Sequence, residues 1–247
     1  MLLPDGRWLG YCTNVHAYGD LSGLLDALRE HAVPKREALV AEGRLDADAP
    51  LGVGLWLPDA VARELEHDVA PLADVLAAAR LHPYTLNAFP QGAFHAERVK
   101  DEVFRPSWAE RSRLDYTLRC GRVLAELLPT GSTGSISTHT GAYKPWGAEA
   151  NDPAMLARGF RAAAEGLARV EAETGVRIVL ALEPEPLSFV ETTAEAVAAF
   201  GEHLLVNDVA RRNVLRVVGS IVEQSETLRR LLQDGRIAIV GAMYDVT

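Results

Sequence analysis

Two glutamates follow a buried-looking strand in the stretch "RIVLALEPEP", residues 177–186. Five consecutive apolar residues precede Glu183, and both Glu183 and Glu185 are followed by proline. A carboxylate costs free energy to remove from water unless it is paired, protonated or bound to a cation. Residues two apart face the same side of an extended chain, so one group could receive both charges. The stretch therefore predicts a group at the end of this strand that receives the charge of the glutamates.

Other polar side chains stand at the ends of predicted strands, namely Asn14, His16, Asn87, His139 and Asp245. In parallel α/β folds, ligands bind where the strands end and the following loops begin. Carboxylate and imidazole groups that converge on one edge suit a divalent ion such as Mn²⁺, Mg²⁺ or Zn²⁺. Such an ion would receive the charge of the glutamates and could polarise a carbonyl or hydroxyl group.

A second interpretation of the glutamates stays open, namely a solvated loop whose acids flank the next helix. Pro184 donates no ladder hydrogen bond, which indicates that the strand is already ending there. Thr192 and Glu195 have the spacing of a capping box, so we assign Glu195 to helix structure. Loops after strands often contact substrate, which makes His95 and Lys100 secondary substrate-binding candidates.

Short apolar runs alternate with longer helical patterns along the chain. The runs are "LGYCTNVH", "APLGVGLWL", "PYTLNAF", "GSISTHT", "RIVLALE" and, near the end, residues 237–243. This alternation predicts βαβ units and a parallel sheet. Six strands are two fewer than a complete eightfold barrel has, so we predict an α/β, TIM-barrel-like (β/α) repeat that forms a partial or incomplete barrel of parallel strands. Residues 1–205 form the barrel region, and residues 206–247 form a helix-strand segment that completes it or is fused to it.

One helix is predicted in detail, over residues 153–174. Asp152 is a suitable N-cap, and Pro153 suits the first turn, where its missing N–H is harmless. The apolar residues that recur three or four apart are Leu156, Phe160, Ala163, Leu167 and Val170. Gly175 follows as the expected C-cap.

Composition excludes several classes of protein. The chain has 247 residues and a net charge of −9, with a pI of about 5.3, so no basic field attracts nucleic acid or an anionic membrane. The sequence contains no signal-peptide pattern and no run of eighteen apolar residues. Cys12 and Cys120 lie far apart without CxxC spacing, as expected in a reducing cytoplasm. We expect a cytoplasmic protein whose partner is a small-molecule metabolite, with no membrane insertion.

Four motifs in order resemble the metabolite-traffic protein family EboE. They are "GYCTNVH", "YTLNAFPQGAFHAERVK", "GSISTHTGAYK" and "LALEPEP" with "ETTAEAV", and together they span about residues 8–203. That family belongs to the xylose-isomerase-like TIM barrels, which include sugar and sugar-phosphate isomerases and epimerases. The resemblance implies a (β/α)₈-type architecture with a divalent metal at the C-terminal rim. It implies that Glu183 is a metal ligand and that His16, Asn87 and His139 are rim residues near the ligand.

Residues 206–247 depart from that family and instead resemble the C-terminal end of a β-class carbonic anhydrase, through "GRIAIVGAMYDV". The zinc ligands of that class are absent, because Cys12 lacks the Cys-x-Asp-x-Arg motif and no histidine lies three residues before Cys120. In a hybrid interpretation, "AMYDV" takes the place of the first family's next strand. Asp245 then stands where that family has an aspartate metal ligand.

The sequence thus predicts a protein that binds a small polar metabolite of the sugar or sugar-phosphate class. If it is an enzyme, it is a metal-assisted isomerase or epimerase that uses Mn, Zn or Mg. Glu183 and Asp245 would hold the ion, Glu185 or His139 would move a proton, and the substrate would be oriented by His16, Asn87, His95 and Lys100. One rival is a non-catalytic carrier or interaction protein. Another is an inactive fusion with a carbonic-anhydrase-like tail, which would form homo-oligomers through exposed strand edges.

Overall fold

A computed structural model describes residues 1–4, 6–92 and 101–200 of the chain. Its centre is a five-stranded sheet with the order β1-β2-β3-β4-β5. The strands are β1 Gly10–Cys12, β2 Leu51–Trp56, β3 Leu81–Asn87, β4 Thr133–His139 and β5 Arg177–Glu183. Each strand pairs in parallel with the next strand of the chain. The predicted parallel sheet and the first five predicted strands are confirmed, whereas residues 237–243 lie outside the described residues.

Seven α-helices alternate with these strands in the described ranges. They are α1 Leu21–Ala27, α2 Val33–Ala41, α3 Asp59–His67, α4 Ala70–Ala78, α5 Arg111–Leu127, α6 Pro153–Thr174 and α7 Thr193–Phe200, and a π-helical turn at Leu28–Ala32 joins α1 to α2. None of these helices is long and apolar enough to cross a membrane.

The predicted helix α6 is confirmed with both of its ends. The Asp152 side chain accepts a hydrogen bond from the Ala154 N–H at 3.0 Å, and Gly175 ends the helix in the left-handed region at φ +70°. The whole predicted apolar stripe is buried. The capping box is also present, because the Glu195 N–H donates to Thr192 Oγ1 and the Thr192 N–H donates to Glu195 Oε2.

The sequence from about Pro58 to Ala79 predicts a helical stretch between β2 and β3, and the structure divides this stretch into α3 and α4. The division lies at Asp68, whose backbone is extended. The Asp68 side chain accepts a hydrogen bond from the Ala70 N–H at 3.0 Å and so begins α4. Pro71 follows in the first turn, where it has no N–H to contribute. A local side-chain cap therefore replaces the continuous helix.

Different groups cover the amino ends and the carboxyl ends of the strands. Towards the amino ends of β1 and β2, the rings of Trp8 and Tyr84 lie against Gly10 and Gly52. A Cβ on Gly10 would stand 2.7 Å from Tyr84 Cε1, and one on Gly52 would stand 3.0 Å from Trp8 Cε3. These glycines thus make room for aromatic rings. The carboxyl ends of the strands carry the cavity described next.

Candidate functional site

A cavity of about 250 Å³ lies at the carboxyl ends of the strands. Its lining combines two amides, two carboxylates and an apolar wall, and comprises Asn14, Asn87, Phe89, Pro90, Val103, Phe104, Glu183, Glu185 and Pro186. These residues come from the segments that follow β1, β3 and β5 and from the 3₁₀ turn Glu102–Phe104. The volume suits a molecule smaller than a typical drug-sized ligand.

Asn14 is positioned by a buried hydrogen-bond network that joins its turn to the end of β2. Asn14 belongs to the 3₁₀ turn Thr13–Val15 directly after β1. Thr13 Oγ1 accepts a hydrogen bond from the Trp56 N–H at 2.9 Å and lies 2.8 Å from the Tyr18 hydroxyl. The Tyr18 hydroxyl donates to the Trp56 carbonyl at 2.6 Å. Burial raises the pKa of Tyr18, so its phenol stays protonated and keeps this bond.

Asn87 ends β3 and shapes the loop that forms the apolar wall. Its side-chain oxygen accepts a hydrogen bond from the Phe89 N–H at 2.8 Å, as in an Asx turn. The Pro90 carbonyl accepts hydrogen bonds from Trp56 Nε1 at 2.9 Å and from the Tyr116 hydroxyl at 3.3 Å. This wall is therefore fixed by side chains of β2 and α5.

Arg113 of α5 joins two walls of the cavity from behind. It is fully buried, and its Nη1 donates to the carbonyls of Ala88 and Phe89, both at 2.9 Å. Its Nε donates to the Pro106 carbonyl at 2.8 Å, and its Nη2 to the Arg105 carbonyl at 3.3 Å. Burial lowers the pKa of Arg113 to about 10, which leaves it charged at neutral pH. One cation thus ties the loop after β3 to the segment after the 3₁₀ turn.

The two glutamates that the sequence singled out both line the cavity. Glu183 is half-buried and Glu185 is exposed. The chain turns sharply between them, because the Glu185 N–H donates to the Glu183 carbonyl at 3.0 Å and the Ser188 N–H donates to the Glu185 carbonyl at 3.0 Å. Within the described part of the chain, the ion pairs involve neither carboxylate.

The loop after these glutamates is held by its own set of contacts. Lys144 Nζ donates to Glu191 at 2.8 Å and to Glu195 at 3.2 Å. The Thr140 hydroxyl donates to the Val190 carbonyl at 2.8 Å and also bonds to the Ser188 hydroxyl. Hydrogen bonds from Lys144 Nζ and from the Leu187 N–H keep the pKa of Glu191 below its usual value. Glu191 is therefore an acid that fixes this loop.

His139 ends β4 next to Glu183 of β5 in the sheet register, but it does not line the cavity. Its ring is fully buried between Phe89 and Phe104, with ring centroids 5.1 and 5.7 Å away. Burial lowers the pKa of His139 well below its ordinary value, and the charge of Arg113 lowers it further. At pH 7 this imidazole is therefore uncharged and packs against the rings of Phe89 and Phe104.

His16 follows β1 but also lies outside the cavity lining. Its Nε2 is 2.5 Å from the Tyr11 hydroxyl, and its ring stacks on His31 with centroids 3.8 Å apart. The residues His95, Lys100 and Asp245 lie outside the described residues. Of the strand-end residues that the sequence indicated, the structure therefore brings together Asn14, Asn87, Glu183 and Glu185.

The described residues contain no group of three or more His, Cys, Asp and Glu side chains close enough to hold a metal ion. The cavity does supply oxygen donors, from the carboxylates of Glu183 and Glu185 and from the amides of Asn14 and Asn87. Oxygen donors of this kind suit Mg²⁺ or Mn²⁺ better than softer ions. Glu183 and Glu185 are the two carboxylates that could hold such an ion, and the described residues do not add a third His, Cys, Asp or Glu ligand to them.

Several residues of the site were not found from the sequence. Phe89, Val103 and Phe104 belong to the lining, but apolar loop residues give no signal of their own. Arg113 could have been noticed, because it stands three or four residues before the buried Tyr116 and Thr117 on α5. A charged residue on the apolar stripe of a helix indicates a buried polar function.

No protein-family model, curated protein or solved structure matches this chain. The cavity is therefore interpreted from its own residues.

We expect Arg113→Met to lower the free energy of unfolding by about 3 kcal/mol or more, because it leaves buried carbonyls without their donor. Arg111→Met, on the same helix, is the matched control. Arg111 forms an exposed ion pair with Asp115, so its loss should change stability by about 0.5 kcal/mol or less. Urea unfolding measures both variants. Equal stability of the two would contradict the bracing role of Arg113.

We also expect His139 to make stability depend on pH. Its pKa is lowered in the folded protein, so below about pH 6.5 the unfolded chain binds a proton that the folded chain does not. The free energy of unfolding should then fall with decreasing pH, by up to about 1.4 kcal/mol per pH unit from this group.

Urea unfolding at pH values on both sides of this range measures that slope. In His139→Gln the slope should be smaller than in the wild type, while in the control His67→Gln, an exposed histidine of α3, the slope should persist. An unchanged slope in His139→Gln would show that other groups cause it.

Proposed function

We propose that this protein binds a small polar metabolite of the sugar class in the cavity at the carboxyl ends of its strands. The observation that carries the proposal is the shared position of Asn14, Asn87, Glu183 and Glu185 around one cavity. Amides and carboxylates at fixed positions accept and donate hydrogen bonds as the hydroxyls of a polyol require. The apolar wall beside them gives the cavity the mixed apolar and polar lining that ligand sites usually have.

We further propose that the sheet is part of a TIM-barrel-like (β/α) repeat. Two features support this: strand order follows chain order throughout the described sheet, and each pairing is parallel. In such a barrel the ligand site lies at the carboxyl ends of the strands, where the cavity is found. The resemblance of about residues 8–203 to the EboE family implies the same architecture.

Metal-assisted isomerisation or epimerisation is the second candidate function, favoured by the two carboxylates at one cavity. A bound divalent ion would polarise a carbonyl or hydroxyl oxygen of the substrate. Glu183 would hold the ion, since it ends β5 and is half-buried. Of the two groups proposed to move a proton, Glu185 lines the cavity and His139 does not. The proposal therefore assigns proton transfer to Glu185 and substrate orientation to Asn14 and Asn87.

Filling the cavity tests the binding function. We expect saturable binding of D-xylose or D-glucose to the wild type in an NMR titration, and at least about tenfold weaker binding to Val103→Trp, whose indole would occupy the space. Val197→Trp is the matched control, because Val197 lies on α7 outside the cavity and is 39% exposed. Binding of the sugars to Val103→Trp with wild-type affinity would contradict this location.

Metal content separates the isomerase from the non-catalytic carrier. Under the isomerase proposal, the full-length protein purified without chelator should hold about one Mn, Zn or Mg ion per chain. Glu183→Gln should lose the ion. Glu173→Gln should keep it, because Glu173 is an exposed carboxylate near the carboxyl end of α6 and lies just before the amino end of β5. If elemental analysis finds no metal in well-folded wild type, the carrier function leads.

A further inference from the structure

The cavity contains carboxylates whose charge no described ion pair neutralises. Glu183 and Glu185 both line it, and the turn between them holds them on the same side of the sheet edge. Two carboxylates in a partly enclosed space create a negative potential that attracts a cation. The remaining polar groups of the lining, Asn14 and Asn87, are neutral amides.

Three cationic side chains of the segments around the cavity have other partners in the described fold. Arg113 stands behind the wall and gives its hydrogen bonds to backbone carbonyls. Lys144 pairs with Glu191 and Glu195 on the neighbouring loop. Arg105 lies over the Trp146 ring, with its guanidinium carbon 4.3 Å from the ring centroid. These three cations therefore do not pair with the two cavity carboxylates.

The aromatic wall adds a second feature that suits a cation. Phe89 and Phe104 both line the cavity and pack edge to face, with centroids 5.2 Å apart. The π-face of a phenyl ring attracts an ammonium group, and the attraction grows when water is excluded. A cavity lined by both carboxylates and phenyl rings suits a charged amine.

We propose that the metabolite bound in this cavity is a polyol that carries a protonated amino group. This inference rests on the binding function proposed above and names its substrate class. The ammonium group donates hydrogen bonds to Glu183 and Glu185 beside the rings of Phe89 and Phe104, while the hydroxyls bond to Asn14 and Asn87. A phosphorylated sugar would bring an anion to the same carboxylates and is disfavoured by repulsion.

Three probes that share a hexose ring test the charge preference, namely D-glucosamine, D-glucose and D-glucose 6-phosphate. Dissociation constants are measured by NMR titration of the full-length protein at about pH 6, where the amine is protonated. We expect D-glucosamine to bind at least about fivefold more tightly than D-glucose, the ratio for one pair of opposite charges about 4 Å apart in water. D-glucose 6-phosphate should bind most weakly.

Variants assign the preference to the two carboxylates. In the double variant Glu183→Gln, Glu185→Gln both sugars should bind more weakly, and the ratio between the dissociation constants of D-glucose and D-glucosamine should fall to about one. Glu173→Gln removes one equally negative charge from α6, away from the cavity, and should retain the ratio. Raising the salt concentration to about 1 M should reduce the ratio in the wild type, since charges are then screened over about 3 Å.

The outcomes separate this inference from the function on which it rests. If D-glucose 6-phosphate binds as tightly as D-glucosamine, or if all three probes bind equally, the amine inference is wrong and the polyol site stands. An amine preference that survives in the double variant also overturns the inference. If none of the three probes binds to well-folded protein, both the polyol site and the amine inference fail.

Discussion

The guanidinium of Arg113 is the group on which the geometry of the cavity depends. Its hydrogen bonds in the described fold go to four backbone carbonyls rather than to a carboxylate. Carbonyl dipoles stabilise the buried charge, and the charge in return fixes two loops relative to α5. Phe89 and Phe104 belong to or adjoin the two segments that Arg113 joins, so the apolar wall of the cavity is fixed to helix α5. Rigid walls reduce the entropy that a ligand would otherwise lose in ordering them.

The amino ends and the carboxyl ends of the strands have different roles. At the amino ends, glycines of β1 and β2 admit the rings of Trp8 and Tyr84, and this aromatic layer fills the space beside the sheet. At the carboxyl ends, short turns expose amides and carboxylates around the cavity instead. Packing stabilises one end of the strands, so the other end can keep polar groups whose burial would otherwise be costly. The division agrees with the general location of ligand sites in parallel α/β folds.

Polar residues at the strand ends have different roles although they look alike in the sequence. Glu183 and Glu185 line the cavity, whereas Glu191 and Glu195 bind Lys144 and fix the next loop. His139 stands one strand away from Glu183 in the register, yet its ring is buried and neutral. The difference is one of surroundings, because desolvation and nearby charge decide whether a titratable group can reach a ligand. Strand-end position alone therefore indicates an area of the fold and leaves the role of each residue open.

Local pattern determined much of the fold. The apolar runs gave five parallel strands, and the stripe of α6 with Asp152 and Gly175 at its ends gave the bounds of that helix, because periodicity and caps act within a few residues. Local pattern missed the division between α3 and α4, where the side chain of Asp68 begins a new helix.

The sequence by itself also determined that Asn14, Asn87, Glu183 and Glu185 stand at strand ends. Only the tertiary structure decided that they share one cavity with Phe89 and Phe104, that Arg113 braces it and that His139 is shielded from it. These outcomes depend on contacts between residues far apart in the chain. Burial, desolvation and the pairing of charges arise only when such distant segments pack together.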